Sequence, residues 1–312
     1  MTTSSASLVE PPVRIATPGR LRETLRALLG QRSAVVGLAI LGVFVFSALF
    51  ANFIAPYPAE GSAAQLVRPG EPGRRAESCI HILGCPADRP ETIFGTDGNS
   101  RDVFSRVVFG ARLSLIIGFA TVGVAIIIGT TIGAIAGFAG GFVDNLLMRL
   151  MDVVLAFPAL LLAIVIVTMI GQSLLNAMMA IAIVAIPVYA RVMRASVLSV
   201  KEQDFVTAAR ALGESPRGIL SRRIMPNALT PLIVTGTLGI ASAVLDVAAL
   251  SFLGLTQIGL AEWGAMIGSE FNGIFSRPLI VLAPGFALTL TVLGFNLLGD
   301  GLRDALDPRL SR

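Results

Sequence analysis

One lysine, one histidine, one tryptophan and two cysteines occur in 312 residues, and only 14% of the chain is charged. Each scarcity excludes something. Soluble domains carry about 25% charged residues, so the polar surface of a soluble enzyme is missing. A phosphate-cradling loop of the G-x-x-x-x-G-K-[ST] type requires a lysine. The sole lysine, Lys201, stands between Val200 and Glu202, so hydrolysis of nucleotide by that route is not expected. His81 lies outside every long apolar block, which removes an intramembrane Ser–His pair. A pI near 9.8 does not signal nucleic-acid binding, because no soluble domain presents a basic face.

What is present is hydrocarbon: 54% of the residues are apolar. Outer-membrane barrel strands alternate in polarity, whereas here the apolar residues come in uninterrupted blocks. Membrane helices need about 20 apolar residues each, and six blocks qualify, 33–54, 113–139, 147–170, 174–193, 229–255 and 278–299. The sequence therefore predicts an all-α polytopic membrane protein with six transmembrane helices. Its parts are a cytoplasmic tail (1–32), a first span (33–54), an external loop with an interfacial helix (55–112), a five-helix core (113–299) and a cytoplasmic C-terminal tail (300–312). The core includes a cytoplasmic loop over 194–227.

Arginine sets the orientation. Arg20, Arg22, Arg26 and Arg32 precede the first span, and Arg191, Arg194, Lys201, Arg210, Arg217, Arg222 and Arg223 crowd the longest later loop. Both belong in the cytoplasm by the positive-inside rule, as do Arg303, Arg309 and Arg312. Arg101, Arg106 and Arg112 fall on the external side. Val103, Phe104, Val107 and Val108 between them suggest a helix lying in the interface with snorkelling arginines.

Within the spans, Gly129, Gly133 and Gly137 recur every four residues. That spacing suits close helix packing better than a solute path. Pro158, Pro187 and Pro284 mark kinks. Asp246 is an intramembrane acid and so a functional candidate; with Asn176, Thr235, Thr237, Ser242 and Asn296 it is a candidate for lining a path. One isolated acid supplies neither a proton relay nor a sodium cluster, which weighs against an ion-coupled secondary carrier, the alternative function. Outside, Cys79 and Cys85 flank His81. An oxidising exterior favours a disulfide; free thiols and a metal site remain open.

The cytoplasmic loop has its own pattern. Phe205, Ala208, Ala209 and Leu212 fall at i, i+3, i+4 and i+7, one stripe of a short helix. Gly213 suits a left-handed stop, and Ser215-Pro216 suits an N-cap followed by proline at N1. A second short helix then runs through Ile219 to Arg223, and Pro226 leads into the fifth span. Such a knob fits either a partner's groove or the lipid headgroups.

Thr207-Ala208-Ala209, then Gly213 after three residues and Arg223-Ile224-Met225-Pro226 after nine more, resemble the EAA loop of ABC-importer permeases. Phe94-Gly95-Thr96-Asp97, Arg101 to Arg106, Gly110 to Leu115, Leu250 to Leu255, Trp263-Gly264 and Asp307-Pro308-Arg309 are similar to the dipeptide, oligopeptide and nickel branch. Thr207 replaces the general motif's glutamate, and Asn99-Ser100 stands where the branch often has glycine.

The resemblance implies a type I ABC-importer permease fold in the bacterial inner membrane, importing di- or oligopeptides by alternating access. It implies a second homologous permease, two ATPase subunits or a fused pair, and an extracytoplasmic substrate-binding protein. ATP and magnesium belong to the ATPase, and this chain carries no cofactor. Residues 202–213 would form the coupling helix. Phe205, Ala208, Ala209 and Leu212 would make its apolar contact, Asp204, Arg210 and Arg217 its charged rim. Phe104 and Trp263 would meet the binding protein.

Overall fold

Apolar runs bounded by glycine, proline and polar caps become long helices in a computed structural model of the chain, which describes residues 26, 28–57, 75–86, 88–89, 91–257 and 259–306. Arg20, Arg22, Arg68, Asp307-Pro308-Arg309 and Arg312 lie outside the described residues. Nine helices organise the rest: α1 (Arg32–Leu49), α2 (Val103–Ala139), α3 (Gly141–Leu155), α4 (Ala159–Ile170), α5 (Leu174–Lys201), α6 (Asp204–Ala211), α7 (Thr230–Phe252), α8 (Trp263–Glu270) and α9 (Pro278–Leu306). Among the described residues the only β pairing is two isolated bridges, Cys79 with Thr92 and Thr96 with Asp102.

Five helices, α1, α2, α5, α7 and α9, are long and apolar enough to cross a membrane alone. The α3–α4 pair is long and apolar enough only when its two helices are taken together, and it is bent by 87°, where the sequence suggested one span over 147–170. Pro158 explains the break. It has no N–H to donate, and it drives the preceding Phe157 out of helical geometry. Pro158 then serves as N-cap residue of α4.

α2 and α5 form the central pair, with α7 across both and α1 packed on α9. The glycine stripe explains the closeness of the first contact. A Cβ on Gly129 would lie 2.7 Å from the Ile186 carbonyl oxygen and 2.8 Å from Tyr189 Cβ, and Gly133 and Gly137 face Ala190 and Val197 in the same way. The stripe is a packing surface. At one end of the bundle, Gly301 of α9 meets Ala34 of α1, and Arg303 and Leu306 share a groove with Thr230 and Pro231 of α7. The start of α1, the end of α9 and the α5–α7 loop therefore share that end.

At the opposite end, the expected interfacial helix does not exist as a separate element. Its residues are the first turns of α2, whose 37 residues make a rod about 55 Å long at 1.5 Å per residue. Arg106 does not snorkel. It is buried, paired with Asp97, and donates to the Leu260 carbonyl at 2.6 Å. Asp97 also accepts from Arg101 Nε at 2.8 Å. Buried in this way, the arginine satisfies an acid and a loop carbonyl at once, which lipid headgroups cannot match.

Trp263 is likewise fully buried, against the expectation that it meets a partner. It packs edge-on to Phe44 and donates to the Val107 carbonyl at 3.1 Å. Phe104 packs edge-on to Phe94. Glu262 caps α8 through the N–H groups of Gly264 and Ala265 at 3.0 and 2.8 Å. Burial pushes its carboxyl above the ordinary value, and the two donors oppose that rise. Cys79 and Cys85 are joined as a disulfide with Cα atoms 5.4 Å apart, and His81 turns its Nε2 to the Arg89 carbonyl instead.

Candidate coupling helix and central cavity

α5 ends in Lys201, whose ammonium donates to the Phe138 carbonyl at 3.0 Å and lies over the Phe138 ring. The lysine thereby caps the last turn of α2 and ties two helix ends together. Two residues later the chain turns into α6. Its eight residues bury Val206 completely and Ala209 almost so; both belong to the main apolar core with Ile219, Ile224 and Ala228.

The expected stripe is thus divided. Ala209 faces inward, whereas Phe205, Ala208 and Leu212 are exposed, Leu212 at 86%. Val206 was not singled out in the sequence, although a β-branched residue one turn before Ala209 is the natural inner anchor. Asp204, Thr207, Arg210 and Arg217 are all exposed, so they form a polar margin around the three apolar groups.

Gly213 adopts φ +79°, a left-handed residue ending α6. The Gly213 N–H bonds the Arg210 carbonyl at 3.0 Å and the Glu214 N–H bonds the Ala209 carbonyl at 3.1 Å. Ser215 caps the next helix by accepting from Gly218 N–H at 3.2 Å, with Pro216 following at N1. Residues Ile219–Ile224 are wound as a π-helix, in which the Met225 N–H reaches back to Leu220. Pro226 accounts for the wide turn: a proline cannot donate to the carbonyl four residues earlier and would clash with it. Arg223 holds Glu214 at 3.0 Å across the turn. α6 is a short, rigid knob standing on a buried base.

The same helix α5 borders a cavity of about 360 Å³ among the transmembrane helices. α2, the α3–α4 junction, α5 and α7 contribute its walls through residues such as Val122, Phe157, Val188 and Leu238. Of the six path candidates, Asp246 and Ser242 line it and Asn176 and Asn296 do not. Asn176 instead closes the α4–α5 turn, donating to the Gly171 carbonyl at 2.8 Å, and Asn296 lies exposed on α9. Thr235 is also on the wall, while Thr237 turns back to the Ile233 carbonyl. Tyr189, absent from the sequence-based candidates, is on the wall too, its hydroxyl against Gly239. Below it on α5, Arg194 grips Asp144 of α3 with both nitrogens, at 2.5 and 2.6 Å, and Arg191 meets Asp152 at 2.5 Å.

Comparison with known proteins gives a consistent likeness. The family described as binding-protein-dependent transport system inner membrane component matches residues 129–312. The N-terminal membrane domain of oligopeptide transport permease C matches residues 19–68. The dipeptide transport system permease protein of Alkalihalophilus pseudofirmus is 45% identical over 290 residues, 93% of this chain and 90% of that protein. Its Escherichia coli K12 counterpart is 45% identical over 90% of this chain and 91% of its own length. A glutathione transport system permease protein from Pectobacterium atrosepticum is 38% identical over 93% of this chain and 91% of its own. Among solved structures, the inward-facing MetNI methionine ABC transporter superposes with TM-score 0.54 at 18% identity, covering 65% of this chain and 97% of that one. That likeness concerns the fold.

Proposed function

Because the chain belongs to the family of binding-protein-dependent transport system inner membrane components, we propose that it imports di- or oligopeptides as one permease subunit of an ATP-driven complex. The curated relatives named for dipeptide transport support the peptide cargo. The observation that carries the mechanism is the mounting of α6. Phe205, Ala208 and Leu212 project outward while Val206 and Ala209 fix the helix to the core, as a part that must transmit force without deforming requires.

An ATPase subunit closing on nucleotide would push on α6. The push passes along α5, which Lys201 couples to α2. From Lys201 to Tyr189 is twelve residues, about 18 Å along the axis, so the displacement arrives at the cavity wall. Cargo delivered by an external binding protein would pass between this subunit and a second permease, in contact with this cavity, and leave on the other side as the helices rock.

The membrane orientation follows from charge. Arg101, Arg106 and Arg75 at the α8 end are paired with Asp97 and Glu270. The α6 end carries Arg210, Arg217 and Arg222, none held by an acid among the described residues. Arg26, Arg32 and Arg303 add to the positive charge at that end, and the positive-inside rule supports the reading that α6 and both termini face the cytoplasm. The test is reconstitution. Purified with its second permease and ATPases in liposomes, the complex is expected to import a labelled dipeptide only with ATP and a loaded binding protein. Uptake by this chain alone, driven by an ion gradient, would overturn the reading.

A further inference from the structure

Five polar side chains line the central cavity: Thr121, Tyr189, Thr235, Ser242 and Asp246. Thr235 is satisfied by the Pro231 carbonyl at 2.9 Å. Thr121 is buried with its hydroxyl unpartnered. Asp246 has no hydrogen bond or ion pair with any described residue, and among the described residues it is the only carboxylate on the wall. Among the described residues no arginine, lysine or histidine lines the cavity to neutralise it; Arg191 and Arg194 of α5 are spent on Asp152 and Asp144. A lone carboxylate at membrane depth is costly unless something pairs with it.

Resting on the peptide-import reading, we propose that Asp246 receives the α-ammonium group of the travelling peptide. A peptide's amino terminus has a pKa of about 7.7–8.0, so it carries the missing positive charge at neutral pH. Ser242, one helical turn before Asp246 on α7, and the unpaired Thr121 hydroxyl opposite supply further polar contacts. Val122, Val184, Val188 and Leu238 offer an apolar wall for side chains of varied shape. The volume of about 360 Å³ lies within the roughly 300–1,000 Å³ typical of small-molecule sites. One fixed charge with tolerant apolar surroundings recognises what all peptides share and ignores what distinguishes them.

The experiment compares the whole importer carrying Asp246→Asn with the wild-type complex in proteoliposomes, using labelled Ala-Ala. Expected are normal assembly by gel filtration, retained basal ATP hydrolysis, and at least about tenfold slower uptake. Asp246→Glu is expected to recover at least half of the lost rate, because it restores the charge. D246N uptake within twofold of wild type would overturn the proposal. Failure of D246N to assemble would also overturn it, since a carboxylate without structural partners is dispensable for folding. A wild-type complex that hydrolyses ATP with its binding protein yet moves no peptide would instead sink the peptide-import reading.

Discussion

Replacing Gly129 by alanine tests the packing of α2 on α5 most directly. The new methyl carbon would sit 2.7 Å from the Ile186 oxygen, 2.8 Å from Tyr189 Cβ and 3.0 Å from Ala190 N. All three belong to or adjoin backbone and cannot swing away. Ordinary contact needs about 3.5 Å, so the helices must part by roughly 0.5–0.8 Å, enough to forfeit a quarter to a half of each dispersion well along the interface. Overpacking of this kind costs about 1–3 kcal/mol. Gly123→Ala provides the control, because a Cβ there meets nothing within 4 Å. Both substitutions gain the same helix propensity, about 1 kcal/mol, which cancels between them. At about 2–4 °C per kcal/mol, the detergent-solubilised G129A complex should lose its fold about 2–12 °C below G123A. Equal midpoints in a thermal aggregation assay would refute the close-packing account.

Three further substitutions follow. Ala208→Arg points into solvent in the isolated chain and should leave membrane levels normal, while reducing ATPase co-purification and uptake by about a hundredfold; unchanged uptake would defeat the docking role of α6. Val206→Ala removes two buried methylene equivalents at about 0.8 kcal/mol each plus a cavity term, so α6 should be clipped faster by protease, with cleavage rates as the check. Ser100→Gly should stabilise the external region by about 1 kcal/mol, since Ser100 holds φ +61° and non-glycine residues pay about 1–2 kcal/mol there; a lower midpoint for S100G would contradict this.

The helical class, the five long crossing helices and the knob ending at Gly213 were legible because each rests on a local signal: apolar length, proline and glycine placement, and a 3.6-residue stripe. Arg106 and Trp263 were misplaced because their surroundings come from far along the chain. Asp97 stands nine residues from Arg106, but Leu260 is 154 residues away and reaches it only through the folded chain. The division of the α6 stripe was hidden for a related reason. Phe205 and Val206 are both apolar neighbours, and only the position of Ile219 and Ile224 decides which one turns inward. The glycine at the family position of Ser100 has its explanation in the left-handed backbone found there.

The right-angled elbow between α3 and α4 divides the labour of a moving wall. Asp144 and Asp152 hold α3 to α5 through Arg194 and Arg191, while α4 meets α3 only at Ala156, Phe157 and Pro158 and packs on α5 through Ala163 and Val167. Leu155, Phe157 and Ala159 all border the cavity. Widening or narrowing the chamber at this corner therefore asks for rotation about a few backbone bonds together with sliding of α4 over α5, while the hydrogen-bond ladder inside each helix stays whole.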